Sequence, residues 1–247
     1  MTRDKARVLV VGIGGLGAPL CLALAKAGVG TLGLLDEDRV ERTNLHRQIL
    51  FRDADVGKPK IAAAEAMLTG LFPGLRIETH ETRLLPHNAV DLVSRYDVVV
   101  EGSDNFPTKF LTADACHIAK RPVVHGAAVR WVGTALAVSA QGSPCYRCLF
   151  EDLPRDNVPN CAEAGVMGPV VGLVGALQAE LALSLLDGRD VAGELVTVDG
   201  KATGDERQTR MVRRRRIARR AGCLLCGKNE IREIDRGRYV ADVCMEG

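Results

Sequence analysis

Hydrophobic positions set the reading frame of this chain. In residues 7–11 (Arg-Val-Leu-Val-Val) an unbroken apolar run follows Arg7 and ends in glycine. A run this short, without alternation, predicts a strand buried on both faces, as in a parallel sheet. A glycine loop follows, then an apolar-rich helix over 16–27 closed by Gly28, and a second buried strand over 31–35 ending at Asp36. Together these predict a βαβ unit of about thirty residues. Further on, the pattern predicts helices over 58–69, 88–95, 107–120 and 165–186, and strands over 75–79, 97–100 and 122–125. Residues 134–139 alternate more and read as an antiparallel strand, and 194–199 and 207–217 as late strands. Residues 150–162, with two prolines and two asparagines, read as a mobile loop. The predicted fold class is α/β: a Rossmann-like, doubly wound, mostly parallel sheet with antiparallel C-terminal strands.

Composition narrows the class. The chain has 247 residues, is 47% hydrophobic and carries a net charge of +2. That predicts a sizeable core and excludes global disorder. The balance hides a basic run, eight arginines within 207–220, read as a solvated or carrier-facing strand. It lacks the interleaved aromatics that stack on bases, which argues against nucleic acid. No secretory pattern starts the chain, and the longest apolar stretch, 166–186, contains Gln178 and Glu180 and reads as a buried helix. A cytoplasmic location is expected.

Two spacings carry chemistry. Gly12-Ile13-Gly14-Gly15-Leu16-Gly17 fits G-x-G-x-x-G between a strand and a helix, and Asp36 lies nineteen residues beyond Gly17. Glycines let backbone N–H groups approach phosphate, and a carboxylate at the next strand end suits ribose hydroxyls. The loop alone fits several nucleotides. Arg47 and Lys60 add cations that a triphosphate needs, and Asp104 in Gly-Ser-Asp-Asn (102–105) can hold Mg²⁺. The second spacing is Cys145–Cys148 and Cys223–Cys226, two Cys-x-x-Cys pairs in Gly/Pro-flanked turns. One pair alone would equally fit a redox dithiol; two favour a closed, structural S4 zinc site. Cys161 stands alone before the long helix, where a lowered pKa would favour a thiolate; the alternative is a small loop or core cysteine. Cys21 and Cys116 fall in apolar helices and read as packing.

In motif order, the chain resembles the bacterial E1-like adenylyltransferases of the ThiF/MoeB/HesA type. The resemblance rests on 11–17, 27–30, 35–40, 44–48 (Asn-Leu-His-Arg-Gln), 56–60 (Val-Gly-Lys-Pro-Lys), 102–105, 126–130, 144–149, 161–169 and 223–227. It implies ATP-dependent adenylylation of the C-terminal glycine of a small ubiquitin-like (β-grasp) sulfur carrier ending in Gly-Gly, with release of pyrophosphate. It also implies how the residues divide the work. Gly12, Gly14, Gly15 and Gly17 would lie against the nucleotide and Asp36 would hold the ribose. Asn44, Arg47 and Gln48 would orient phosphates and Lys60 would stabilise charge at the β/γ end. Asp104, with Asn105 beside it, would bind Mg²⁺, and Cys145, Cys148, Cys223 and Cys226 would hold Zn²⁺. In some relatives the cysteine matching Cys161 bonds covalently to the carrier.

The whole chain, 1–247, is expected to be one adenylation domain: 1–140 the nucleotide part, 141–247 the carrier-binding part with crossover loop and zinc clip. A homodimer is expected. Relatives carry an N-terminal segment whose arginine reaches the neighbouring subunit's ATP; here six residues precede the first strand, which leaves three readings open: a misassigned start, a divergent paralogue, or another arginine in that role. The sulfur donor is expected to be a separate protein. Two rival readings remain: a nicotinamide-dependent Rossmann oxidoreductase, and a non-catalytic, zinc-stabilised scaffold.

Overall fold

The computed structural model describes residues 2–154, 165–202, 211–228 and 230–239. The strands form one eight-stranded sheet in the order β3-β2-β1-β4-β5-β6-β7-β8. They are β1 (Arg7–Val11), β2 (Thr31–Leu35), β3 (Arg76–His80), β4 (Val98–Glu101), β5 (Val123–Val129), β6 (Val132–Val138), β7 (Glu194–Asp199) and β8 (Val212–Arg216). β3 to β5 pair in parallel, and β6, β7 and β8 are added antiparallel. The Rossmann-like expectation, antiparallel C-terminal strands included, holds.

Alternation along β1 explains the two layers. Val8 and Val10 face one core cluster with Leu20, Leu24 and Val174, and Leu9 and Val11 face the other with Val93, Phe110 and Leu136. The first face is covered by α1 (Gly17–Lys26), α2 (Lys60–Leu71) and α6 (Gly168–Leu186). The second is covered by α3 (Ala89–Ser94), α4 (Phe106–Ile118), the short α5 (Tyr146–Leu149) and the cysteine-bearing tail. α6 is long and apolar enough to cross a membrane by length and composition. Here Val170, Val174, Leu177 and Leu181 are buried against the sheet and α1, so its apolarity reflects core packing.

Several boundaries moved for identifiable reasons. α6 begins at Gly168, not 165, because Val166 bridges to Arg130 in extended conformation and Pro169 then opens the first turn. α2 begins at Lys60 because Pro59 bridges to Arg39, and Gly70 lies inside that helix rather than ending it. β5 runs on to Val129, beyond the apolar run, because β6 folds back on it around Arg130 and Trp131 and satisfies its backbone groups. The predicted 207–217 strand is Val212–Arg216 among the described residues; 207–210 lie outside them. Most of the predicted 150–162 loop, Cys161 included, also lies outside the described residues.

α1 and α6 touch through Gly175, where a Cβ would come 2.6 Å from both the Leu16 carbonyl oxygen and Pro19. Backbone cannot yield as a flexible side chain can, so Gly175→Ala should lower stability by about 1–3 kcal/mol in urea denaturation. The exposed-side Gly172→Ala, with open space around it, should be neutral or stabilising.

Candidate functional site

The sheet reverses its winding direction between β1 and β4, and there the strand ends open into a cavity of about 730 Å³. That position, outside the carboxyl ends of parallel strands, is where doubly wound sheets take ligands. Gly12 receives close backing from Gly102 at the end of β4, 3.3 Å from where a Cβ would sit, and adopts φ 85°, a left-handed value that favours glycine. The loop is then aimed by short backbone bonds: Gly12 N–H to the Leu35 carbonyl at 2.8 Å and Gly102 N–H to the Val11 carbonyl at 2.9 Å.

The structure gathers Gly12, Gly14, Gly15, Asp36, Arg47, Gln48, Lys60, Asp104 and Asn105 around this cavity. Asp36 accepts from the Ile13 N–H at 2.7 Å and the Asp38 N–H at 2.9 Å. Burial pushes its carboxyl up, opposed by the nearby Lys60 charge and those two N–H groups. The Lys60 ammonium lies 2.7 Å from Asp38 and 3.7 Å from Asp36, a cation held against the cavity wall by two acids. Arg47 has no carboxylate partner among the described residues, and its stem lies 3.5 Å from a Gly15 Cβ position. The Gln48 amide nitrogen lies 3.5 Å from a Gly14 Cβ position, and its side-chain oxygen is buried without a hydrogen-bond partner among the described residues. An unpaired cation and an orphaned polar atom beside a glycine loop are what an anionic ligand would complete.

Asp104 is exposed at the cavity edge, free of the capping role, because Asn105 caps α4 by accepting from the Thr108 N–H at 2.9 Å. Its carboxylate, without a partner among the described residues, is suited to a hard cation such as Mg²⁺. Gly17 and Asn44 do not line the cavity. Gly17 opens α1 and a side chain there would collide with the Gly12 carbonyl. The Asn44 amide is turned to Glu41, while its carbonyl accepts from the Arg47 and Gln48 N–H groups at 3.1 and 3.0 Å; it shapes the turn that presents those two residues.

Sequence reasoning missed several residues at the cavity. Arg83 reaches it from the segment after β3 and pairs with Glu37. Leu84, Leu111, Arg236 and Tyr239 line it as well. Nothing local to 236–239 marks it as part of a nucleotide site.

The four cysteines come together as expected. The Sγ atoms of Cys145, Cys148, Cys223 and Cys226 lie within 4.8 Å of one another, with Cys145–Cys223 at 3.5 Å, Cys148–Cys226 at 3.3 Å and Cys145–Cys148 at 3.9 Å. Zinc–sulfur bonds of about 2.3 Å in a tetrahedron place sulfurs roughly 3.8 Å apart, so the donor set fits Zn²⁺. The hydrogen bond between Cys145 and Cys226 pushes the Cys145 thiol up and pulls Cys226 down to about 4, so one thiolate forms readily and a cation is needed for all four to ionise together. Arg147, between the first two cysteines, is fully buried and forms a bidentate pair with Asp114 of α4 at 2.8 and 2.9 Å. Cys21 and Cys116 are buried, and burial pushes the Cys21 thiol up to about 12; both are packing residues. The basic run is partly engaged by surface contacts: Arg214 pairs with Glu180 and Glu194, Arg216 with Asp190, and Arg219 donates to the Cys226 carbonyl.

Comparison with known proteins agrees with this geometry. Residues 3–224 match the ThiF family. The chain belongs to the ThiF family. It is 40% identical over 231 residues to the sulfur carrier protein adenylyltransferase of Thermus thermophilus, covering 90% of this chain and 83% of that protein. It is 46% identical over 198 residues to the SAMP-activating enzyme E1 of Haloferax volcanii, covering 79% and 73%. With the adenylyltransferase and sulfurtransferase MOCS3 of Anopheles gambiae it shares 44% over 200 residues, 80% of this chain and 45% of that one. The chain thus spans about half the length of the MOCS3 relatives it matches. Among solved structures, E. coli MccB with ATP superposes with a TM-score of 0.75 at 21% identity, over 91% of this chain and 68% of that one. That likeness shows that the ThiF fold is shared.

Two measurements check the cysteine cluster. Native mass spectrometry should find one zinc, lost on chelation together with a fall in Tm, and Cys226→Ser should reproduce that fall. Arg147→Ala should cost about 3–5 kcal/mol in denaturant unfolding, because it leaves the Asp114 carboxylate buried and unpaired.

Proposed function

We propose that this protein uses ATP and Mg²⁺ to adenylylate the C-terminal glycine of a small ubiquitin-like, β-grasp sulfur-carrier protein, serving thiamine, molybdopterin or related sulfur-transfer biosynthesis. The observation that carries the reading is the cavity at the β1/β4 winding point. It sets a glycine loop, a held carboxylate (Asp36), two cations (Arg47, Lys60) and a free carboxylate (Asp104) around one volume. The names of the Thermus and Haloferax relatives support the same reading.

The chemistry asks for this set. A carrier carboxylate oxygen attacks the α-phosphorus, a carboxylate–phosphorus bond forms, the bond to the bridging α–β oxygen breaks, and pyrophosphate leaves with the electron pair. Two anions must meet and a third must depart, so catalysis is mostly charge compensation and positioning. Asp36 would fix the ribose while accepting from the Ile13 N–H. Arg47 would meet phosphate oxygens beside Gly15. Lys60 would turn from Asp38 towards the β/γ end, and Asp104 would hold Mg²⁺ against phosphate. Gly17 and Asn44 would act through the loop and turn they shape. Residues 1–140 would form the nucleotide part and 141–247 the carrier-binding part. We extend the proposal to a homodimer in the cytoplasm, a separate sulfur donor, and Cys161 as the residue that bonds to the carrier.

Carrier-dependent ATP–pyrophosphate exchange tests the assignment. Lys60→Ala and Asp104→Ala should each lower it by roughly 100-fold or more, with Tm little changed for Asp104→Ala because that side chain is exposed. Wild-type exchange in either variant would remove that residue from the site. A protein that bound NADH and not ATP-Mg would point to the oxidoreductase reading instead.

A further inference from the structure

Part of the nucleotide cavity is lined by a segment no nucleotide motif includes. Residues 230–239 follow the second Cys-x-x-Cys, and a 3-10 turn (Arg236–Tyr239) brings Arg236 and Tyr239 to the cavity wall. Tyr239 is 7% exposed and belongs to the apolar cluster that also holds Leu35, Leu84 and Leu111, all cavity-lining residues. These apolar side chains belong to the core cluster on one face of the sheet, whereas Arg47 stands by Gly15 next to Val171 of the opposite cluster. A nucleotide offers a partner to each: a flat apolar base at one end, phosphates at the other.

The segment is held there by a buried network. The Tyr239 hydroxyl donates to Asp114 at 2.8 Å, and Asp114 is held from its other side by Arg147, which sits between Cys145 and Cys148. Arg147 and Asp114 are fully buried. Burial, and then the Asp114 charge, push the Tyr239 hydroxyl far above its ordinary pKa, so it stays a donor at any physiological pH. Arg236 is exposed to the cavity and has no carboxylate partner among the described residues. Arg83, which also lines the cavity, is by contrast engaged by Glu37.

We propose that Arg236 is a base-contacting residue of the nucleotide site and that Tyr239 is the positioning residue that holds it there, through Asp114 and Arg147, from the cysteine cluster. This rests on the nucleotide reading of the cavity above. A guanidinium over a purine face gains from cation–π attraction and stacking, and a planar aromatic wall beneath it fixes the ring. The tail that the four cysteines pin to the sheet then completes the site.

Competition binding against a fluorescent ATP analogue tests this. Arg236→Ala should weaken binding about tenfold, equally for AMP and ATP because both carry the base, with Tm unchanged. Tyr239→Phe should weaken binding about threefold and speed amide exchange across 230–239, since the ring remains while its anchor is lost. Arg189→Ala, an exposed charge at the opposite end of α6, should have no effect. Unchanged affinity in Arg236→Ala, with the wild type binding normally, overturns the inference alone. So does a loss seen with ATP and not with AMP, which would put Arg236 on the phosphates. A wild type that binds neither nucleotide overturns this inference and the nucleotide reading together.

Discussion

The site depends on one constraint: charged side chains must be held ready at the end of a sheet whose interior tolerates none. β1 is buried on both faces, so polar groups can appear only where it ends. The turn at Gly12 places backbone donors there, and the Ile13 N–H holds Asp36 at the mouth of β2. Lys60 is then drawn in against Asp36 and Asp38. Each of these groups would be costly to bury alone; together they keep opposite charges within reach and leave Arg47 and Asp104 uncommitted for ligand.

The same economy governs two buried networks behind the cavity. Glu101, fully buried at the end of β4, accepts from Lys109 at 2.9 Å, from the Ser103 N–H at 2.6 Å and from the Ser103 hydroxyl. Its carbonyl accepts from Gln178 of α6 at 2.8 Å. Despite burial, its carboxyl is held below the usual range, chiefly by Lys109 and His125. His125 itself is pushed down by burial, against the opposing pull of the Glu101 carboxylate. This network ties β4, α4 and α6 together directly beneath the Gly102–Asn105 turn. Arg147 and Asp114 do the equivalent for the tail, joining the cysteine cluster to α4. Such satisfied networks specify one arrangement more than they add stability.

Much of this was readable in the chain itself. The β1–α1–β2 unit, the glycine loop, Asp36, and the four cysteines with their spacing were legible because each depends on neighbours a few residues away: an apolar run, a turn, a strand end. The antiparallel turn-back at β6 was visible as alternation in 134–139, whereas the reach of β5 to Val129 was not, since only its partner strand stabilises those residues. Asn44 read as a ligand because its motif sits among phosphate-facing residues, yet its amide is spent on Glu41. The basic run read as one patch, but folding set Glu180, Glu194 and Asp190 against it.

What the amino-acid order determined alone was the alphabet of the site: which residues could touch phosphate, ribose or metal, and that the sheet would be doubly wound. What only the tertiary structure decided was how distant parts share one volume. Asp114 in α4, Arg147 in the first cysteine turn and Tyr239 near the chain's end meet in one hydrogen-bonded set. That set carries Arg236 to the cavity that Gly12 also lines. The reason is physical. Local pattern encodes contacts along one element, whereas a contact between residues 125 apart in sequence, such as Asp114 and Tyr239, exists only once both core faces have formed and the cysteines have drawn the tail back onto the sheet.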